Sequence, residues 1–332
     1  MRHFRNSAVR RTAILCLSLA ALLGAAQEVV SAQDGFPTRA VRIIVPIPPG
    51  ATADSLPRII ADKLSAKWGQ PVVIENRPGA AQNIGAEVVA RAEPDGYTLL
   101  ATPPSPLTVN QSLYPKLGYD PASFVPVTVM AQLPNVLMVN PKIPVTNVQE
   151  LIAYAKQHPG KLSYGSAGTG STPHLSMELL KSLSGVEWVH VPYKGLAPAL
   201  TDLIAGHVDM MIDNLGNALG PVISGRLKGL AVGSAKRIPQ LPEVPAMAEF
   251  FPDFVSVTWF AIIAPPGTPI QLADKLSADI REIINLPEVS KKFADLSSTP
   301  VGSTPAESTA FIKEERERWQ QVIRAAGIKP EQ

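Results

Sequence analysis

Two small-residue stretches carry most of the chemistry that this chain of 332 residues offers. The first, Pro46-Ile47-Pro48-Pro49-Gly50-Ala51-Thr52-Ala53-Asp54, follows the run Val41–Val45 and precedes Leu56, Ile59, Ile60 and Leu64 at helical spacing. The second, Gly165-Ser166-Ala167-Gly168-Thr169-Gly170-Ser171-Thr172-Pro173-His174, follows Leu162–Tyr164 and opens a helical pattern that runs to Leu183. Small residues let the backbone approach a ligand closely. A helix start leaves N–H groups unpaired and carries a partial positive charge. Such a strand–turn–helix unit can hold a carboxylate without any cationic side chain. Ordinary β–α loops with N-caps look the same, so neither stretch alone decides between the two readings.

Other chemistries fit less well. Tyr164-Gly165-Ser166-Ala167-Gly168 approximates the nucleophile elbow G-x-S-x-G, but Tyr164 replaces its first glycine. A hydrolase would need Asp213 and a histidine to join Ser166. His190 and His207 sit in or beside apolar stretches and read as structural, and His174 is too near in sequence for the usual order. His174 and Glu178 are spaced i, i+4, yet no H-E-x-x-H motif or second cluster accompanies them. Asp54, Asp209 and Asp213 do not form a calcium loop. Neither G-x-x-x-x-G-K nor G-x-G-x-x-G after the first strand is present. The expectation is no catalytic residue, no metal and no cofactor.

The elements that must position these loops alternate along the chain. Strand patterns at 41–45, 72–74 and 97–101 enclose helical patterns, and this β-α-β-α-β order predicts parallel strands with helices on both faces. Further strands are expected at 136–139, 162–164, 188–191, 208–212, 230–232 and 255–264. Helices are expected at 148–157, 172–183, 196–205, 270–284 and 305–325. The charged run Lys313–Arg318 in the last helix reads as a solvated face. The fold class is therefore α/β.

Composition agrees with a folded, exported chain. Hydrophobic residues make up 45% and charged residues 17%, which excludes disorder. The 33 prolines fall mostly between periodic segments, as stiff loops. Arg2, Arg5, Arg10 and Arg11 precede an apolar run, Thr12 to Ala26, and then Val30-Ser31-Ala32. That order predicts a signal peptide over residues 1–32, cleaved near Ala32, and a periplasmic protein. The formal charge is +2, but these arginines supply the excess, so no nucleic-acid surface is indicated. The one cysteine, Cys16, lies in the same segment and follows Leu15, so neither a disulfide nor a lipid anchor is expected.

Taken together, the segments resemble the Bug/TctC family, extracytoplasmic solute receptors of tripartite tricarboxylate transporters. The resemblance rests on Ile44-Val45-Pro46 with Pro49-Gly50 and Asp54, and on Glu75-Asn76-Arg77-Pro78-Gly79-Ala80 with Asn83-Ile84-Gly85-Ala86. Pro94-Asp95-Gly96-Tyr97, His190-Val191-Pro192-Tyr193-Lys194-Gly195, Ala264-Pro265-Pro266-Gly267 and Trp319 extend it toward the C-terminus. It implies a type II periplasmic binding protein fold, with two α/β domains and a ligand cleft between them. Residues 33–135 and 256–332 would form the first domain and 136–255 the second. It implies a monomer that takes a small carboxylate to membrane transporter subunits; a receptor that signals to a membrane sensor is the alternative. The implied ligand contacts are Pro49, Gly50, Ala51, Thr52 and Asp54 on one loop, and Ser166, Gly168, Thr169, Ser171 and His174 on the other. Ser105 and Asp213 complete the set at strand ends. Family members usually carry two glycines where this chain has Gly50-Ala51, and Thr, Gly or His where it has Pro103, Pro104 and Pro106. Neither loop holds a basic residue, so the carboxylate should be bound by neutral groups. Arg58, one helical turn on, is the competing partner.

Overall fold

The computed structural model describes residues 35–50 and 52–328. The expected signal peptide and Ala51 lie outside the described residues. The chain runs through β1 (Val41–Val45), α1 (Thr52–Trp68), β2 (Val72–Asn76), α2 (Asn83–Ala90) and β3 (Thr98–Thr102). Two short helices, α3 (Ser105–Thr108) and α4 (Asn110–Leu113), lead to β4 (Val125–Val139). Next come α5 (Val148–Gln157), β5 (Ser163–Ser166), α6 (Thr172–Ser184), β6 (Val189–Pro192), α7 (Leu196–Ala205) and β7 (Met210–Asn214). Then α8 (Leu215–Ile223), β8 (Lys228–Val232), β9 (Val257–Ala264), α9 (Ile270–Ile284), α10 (Pro287–Asp295), β10 (Thr299–Pro300) and α11 (Pro305–Ala325) complete the fold.

β1 pairs in parallel with β2 and β3, as the alternating pattern requires. β9 joins β3 antiparallel, and β4 joins β9 antiparallel, so the whole sheet is mixed. β4 is the common strand of two lobes. Its residues Val125 to Pro134 pair with β9, whereas Asn135 to Val139 pair with β7 and β8. β5 lies parallel to both β7 and β6.

Only the end of β4 was expected as a strand. Pro126 and Pro134 obscure its first part, because proline cannot donate to a ladder. The strand accommodates the first stretch with register shifts at Pro126/Thr128 and Val129/Ala131. Helix α8 was also unexpected; Gly216, Gly220 and Pro221 all lower helix propensity there.

In the first lobe, Leu56, Ile60 and Leu64 of α1 pack with Leu276 and Ile280 of α9 on one sheet face. Ala86 and Val89 of α2 and Ile312 of α11 cover the other. In the second lobe, Leu151, Tyr164 and Leu180 share one core, and Ala199, Leu203 and Leu215 the opposite one. Trp319, Val322 and Ile323 of α11 meet Leu113 and Leu175, so the last helix ties the lobes together.

The charged run of α11 is not wholly solvated. Glu315 is buried and accepts from the indole N–H of both Trp259 (2.9 Å) and Trp319 (3.1 Å). Half-buried Arg316 donates to the carbonyls of Leu107 (3.0 Å) and Pro121 (3.1 Å). A long α/β-covering helix turns part of its charge inward when backbone carbonyls and indoles can satisfy it.

Candidate functional site

The first small-residue loop is held by one carboxylate. Gly50 adopts φ +97°, a conformation that favours glycine, and donates its N–H to Asp54 Oδ2 at 3.0 Å. Asp54 also accepts from Arg58 Nε (3.0 Å), Arg58 Nη2 (2.9 Å) and Asn76 Nδ2 (2.8 Å). Asn76 donates to the carbonyl of Ile47 as well (2.9 Å), which fixes the loop's entry. Burial alone would raise the Asp54 carboxyl, but the donors from Arg58, Asn76 and Gly50 hold it below the usual range. Arg58 is thus occupied behind the loop.

The second loop is held by neutral groups. Ser166 Oγ accepts from Gly168 N–H (3.1 Å) and lies 2.7 Å from His190 Nε2. Ser171 caps α6, accepting from His174 N–H (3.4 Å), and its hydroxyl donates to the Gly168 carbonyl (2.7 Å). Gly170 N–H donates to His174 Nδ1 at 3.1 Å, so the His174 ring is the neutral tautomer with its proton on Nε2. His174 stacks on His190 with ring centroids 4.1 Å apart, and His190 on Tyr164 at 4.8 Å. Burial pushes His190 down to about 4; burial, then the neighbouring His190, pushes His174 down to about 3.

Both loops open on one cavity of about 630 Å³ between the lobes. This is the size range of small-molecule sites. Its wall includes Pro49, Gly50, Thr52, Ser105 and Ser171 from the expected set. Gly168 and Thr169 lie on the second loop but outside the wall. Asp54, Ser166, His174 and Asp213 stand behind it, each buried. Asp213 accepts from the N–H of Asn214 (2.6 Å) and the amide of Asn217 (3.3 Å), and complete burial pushes it up to about 7.

The wall also contains Gln82, Lys194, Asn214, Asn217, Thr258 and Phe260, which sequence reading did not select. Lys194 follows Tyr193 in a motif already noted, and its position directly before a helix start was the available signal. Asn214 and Asn217 begin α8, the helix that glycine and proline concealed. Thr258 and Phe260 lie on β9, where only tertiary pairing reveals which residues face the cleft.

Four helices of nine residues or more begin at this cavity: α1 at Thr52, α6 after Ser171, α7 after Gly195 and α8 after Asn214. Lys194 is the one charged side chain among the described wall residues. Aligned N–H groups and one ammonium, with no acidic side chain among the described wall residues, make the site anion-attracting.

The Ser166–His190 contact does not make a nucleophile. Ser166 is inaccessible and outside the cavity wall. A histidine pushed down to about 4 is a poor base near neutral pH. Asp213 contacts Asn214 and Asn217, and no contact joins it to His190 among the described residues.

Comparison with known proteins agrees with this geometry. The family model described as "Tripartite tricarboxylate transporter family receptor", TctC, matches residues 56–328. Protein BugT of Bordetella pertussis is 39% identical over 299 residues, covering 89% of this chain and 92% of that protein. The structure of R. palustris Rpa4515 with adipate superposes with a TM-score of 0.81 at 41% identity, covering 89% of this chain and 100% of that one. MatC from Rhodopseudomonas palustris with bound malate gives 0.77 at 32%, covering 87% of this chain and 100% of that one. Among the described residues no helix is long and apolar enough to cross a membrane. This chain belongs to the TctC family, the periplasmic solute receptors of tripartite tricarboxylate transporters.

Proposed function

We propose that the protein captures a small carboxylate in the cavity between its lobes and delivers it, as a periplasmic monomer, to the membrane subunits of a tripartite tricarboxylate-type transporter. The convergence of four helix starts and Lys194 on a wall without a described acidic side chain carries this reading. Each hydrogen bond from an aligned N–H to a carboxylate contributes about 1.5–3 kcal/mol. A few of them supply the ~8 kcal/mol of micromolar binding. The bound adipate and malate of the two related structures support the ligand class.

In this reading Pro49, Gly50, Thr52, Ser105 and Ser171 touch the ligand. Asp54, Ser166, His174 and Asp213 position the loops and strand ends that do. The first domain comprises residues 33–135 and 256–332, and the second 136–255. The change of β4 partner between Pro134 and Asn135 supports that division, as does the bond from Asn135 N–H to the Ser256 carbonyl (3.2 Å). An anion gripped by helix starts of both lobes favours whichever arrangement brings them together, so binding drives closure.

Mass spectrometry of small molecules released on denaturing protein purified from the periplasm tests the proposal. A stoichiometric carboxylic acid is expected. A stoichiometric ligand lacking any carboxyl group would overturn it.

A further inference from the structure

Where the two lobes join, the crossing segments are tied by side chains as well as by backbone. β4 pairs with β9 as far as Pro134 and with β7 from Asn135 onward, and Ser256 stands directly before β9 on the return. Asn135 N–H donates to the Ser256 carbonyl (3.2 Å), Ser256 N–H to the Gly233 carbonyl (2.8 Å) and Gly233 N–H to the Asn135 carbonyl (2.6 Å). A Cβ on Gly233 would collide with the Ser256 carbonyl, so these segments meet with no side chain between them.

On this frame sits a chain of five polar side chains. Asn135 Nδ2 donates to Ser256 Oγ (2.8 Å), which lies 2.6 Å from Ser176 Oγ of α6. The Thr258 hydroxyl lies 3.2 Å from Asn135 Oδ1 and 2.8 Å from Asn214 Oδ1. Asn135, Ser176 and Ser256 are fully buried and outside the cavity wall, whereas Thr258 and Asn214 belong to it. One hydroxyl proton serves one acceptor at a time, so the buried amide of Asn135 and the wall amide of Asn214 compete for that of Thr258. Hydrogen bonds fix both distance and angle, and buried ones are costly to leave unmade. A rotation of one lobe against the other must therefore strain or exchange them.

We infer that Asn135 is a positioning residue: through Thr258 and Asn214 it holds the wall segments of the two lobes in register and sets the angle at which the lobes meet. Thr258 lies on β9 of the first lobe, and Asn214 occupies the N-cap position of α8 in the second. Asn135 is the buried group that ties this pair to the crossing segments. Trp319, Val322 and Ile323 also span the junction, but apolar contact is non-directional and lets surfaces slide.

The test measures the distance between the lobes in the purified mature protein, exhaustively dialysed and without added ligand. Spin labels on Asp274→Cys of α9 and Lys156→Cys of α5, both exposed positions, report it by pulsed electron resonance. The single native cysteine, Cys16, lies in the expected signal peptide, so no other thiol is labelled. The wild type should give one narrow distribution. Asn135→Leu and Thr258→Val, which nearly keep the volume but remove the hydrogen bonds, should each broaden it or move its centre by about 2 Å or more. The double variant should add nothing beyond the larger single effect, because both cut one network. Leu180→Ala, in the core of the second lobe, should lower the melting temperature and leave the distribution unchanged. If Asn135→Leu does not fold, Ser256→Ala takes its place beside Thr258→Val. A wild type as broad as the variants, variants with the wild-type distribution, shifts that add in the double variant, or the same shift in Leu180→Ala overturns the inference. No ligand is used, so none of these outcomes bears on the carboxylate reading.

Discussion

The two small-residue loops reach one cavity by different means. The β1–α1 loop is pegged by a charge: Asp54 gathers Gly50 N–H, the Arg58 guanidinium and the Asn76 amide. The β5–α6 loop is pegged by neutral groups: Ser166, Ser171 and His174 satisfy Gly168 and Gly170 from inside the second lobe. Surroundings differ as well. A Cβ on Gly50 would meet nothing within 4 Å, whereas one on Gly170 would lie 2.4 Å from Leu113 Cδ1 of the other lobe. The lesson is that a helix start can be aimed either by an ion pair near the surface or by packing and neutral hydrogen bonds. The first kind is sensitive to loss of charge, the second to added volume.

Adding volume should separate the loops most. Gly170→Val forces positive φ on a β-branched residue and presses on Leu113, which is fully buried in one cluster with Trp319. Strain and overpacking together should cost about 2–5 kcal/mol. Calorimetric binding and thermal melting should both show it, with affinity falling a hundredfold or more. Gly50→Val, with φ +97° but open space, should cost about 1–2 kcal/mol. Equal effects would erase the distinction.

Removing charge should act on the first loop. Asp54→Ala deprives Gly50, Arg58 and Asn76 of their acceptor and should destabilise by about 1.5–3 kcal/mol, read by denaturant unfolding. Part of the native stability from Asp54 should also disappear as pH falls below its unfolded value of 3.8 toward its depressed folded one, and the variant should lack that loss.

Asp213 has the opposite sign. Its folded pKa, about 7, lies above its unfolded value of 3.8. Its contribution is therefore fully present below about pH 3.8 and is lost as pH rises through 7. Asp213→Asn keeps an acceptor for Asn214 N–H but does not titrate. Its melting temperature relative to wild type should rise by about 2 °C or more from pH 4 to pH 8. His174 and His190, pushed down to about 3 and about 4, lose stability as pH falls from about 6.5. Both proteins share that loss, so the difference isolates Asp213. A constant or falling difference contradicts its assignment.

The smallest effects on ligand affinity are expected at Arg58 and Thr169, which are both outside the cavity wall. Arg58→Gln should keep ligand affinity within about one tenfold step, ~1.4 kcal/mol, because Arg58 is engaged by Asp54 and Asn76. Thr169→Ala should stay within about 0.5 kcal/mol. A loss of several hundredfold for Arg58→Gln in titration would place an ion pair at the carboxylate.

Regular elements with clean periodicity were legible in the sequence. Strand β1 and helices α5, α7, α9 and α11 have the expected bounds. The two loops were legible because glycine, proline and small polar residues mark a strand–turn–helix by their backbone needs. What escaped was tertiary. The first part of β4 is hidden by Pro126 and Pro134, and α8 by its glycines and proline. Residues such as Gln82 and Thr258 enter the wall only through pairing and turns that join distant segments. His190 read as structural from its apolar neighbours, and its ring does stack between Tyr164 and His174; the contact with Ser166 had no sequence signal.

The central claim is that helix starts from both lobes hold a carboxylate. Calorimetric titration with the acid released from the native protein, beside its methyl ester, tests it most directly. The ester keeps the shape but removes the negative charge. The acid should bind at least a hundredfold more tightly, about 2.7 kcal/mol. Equal affinity for acid and ester would contradict it.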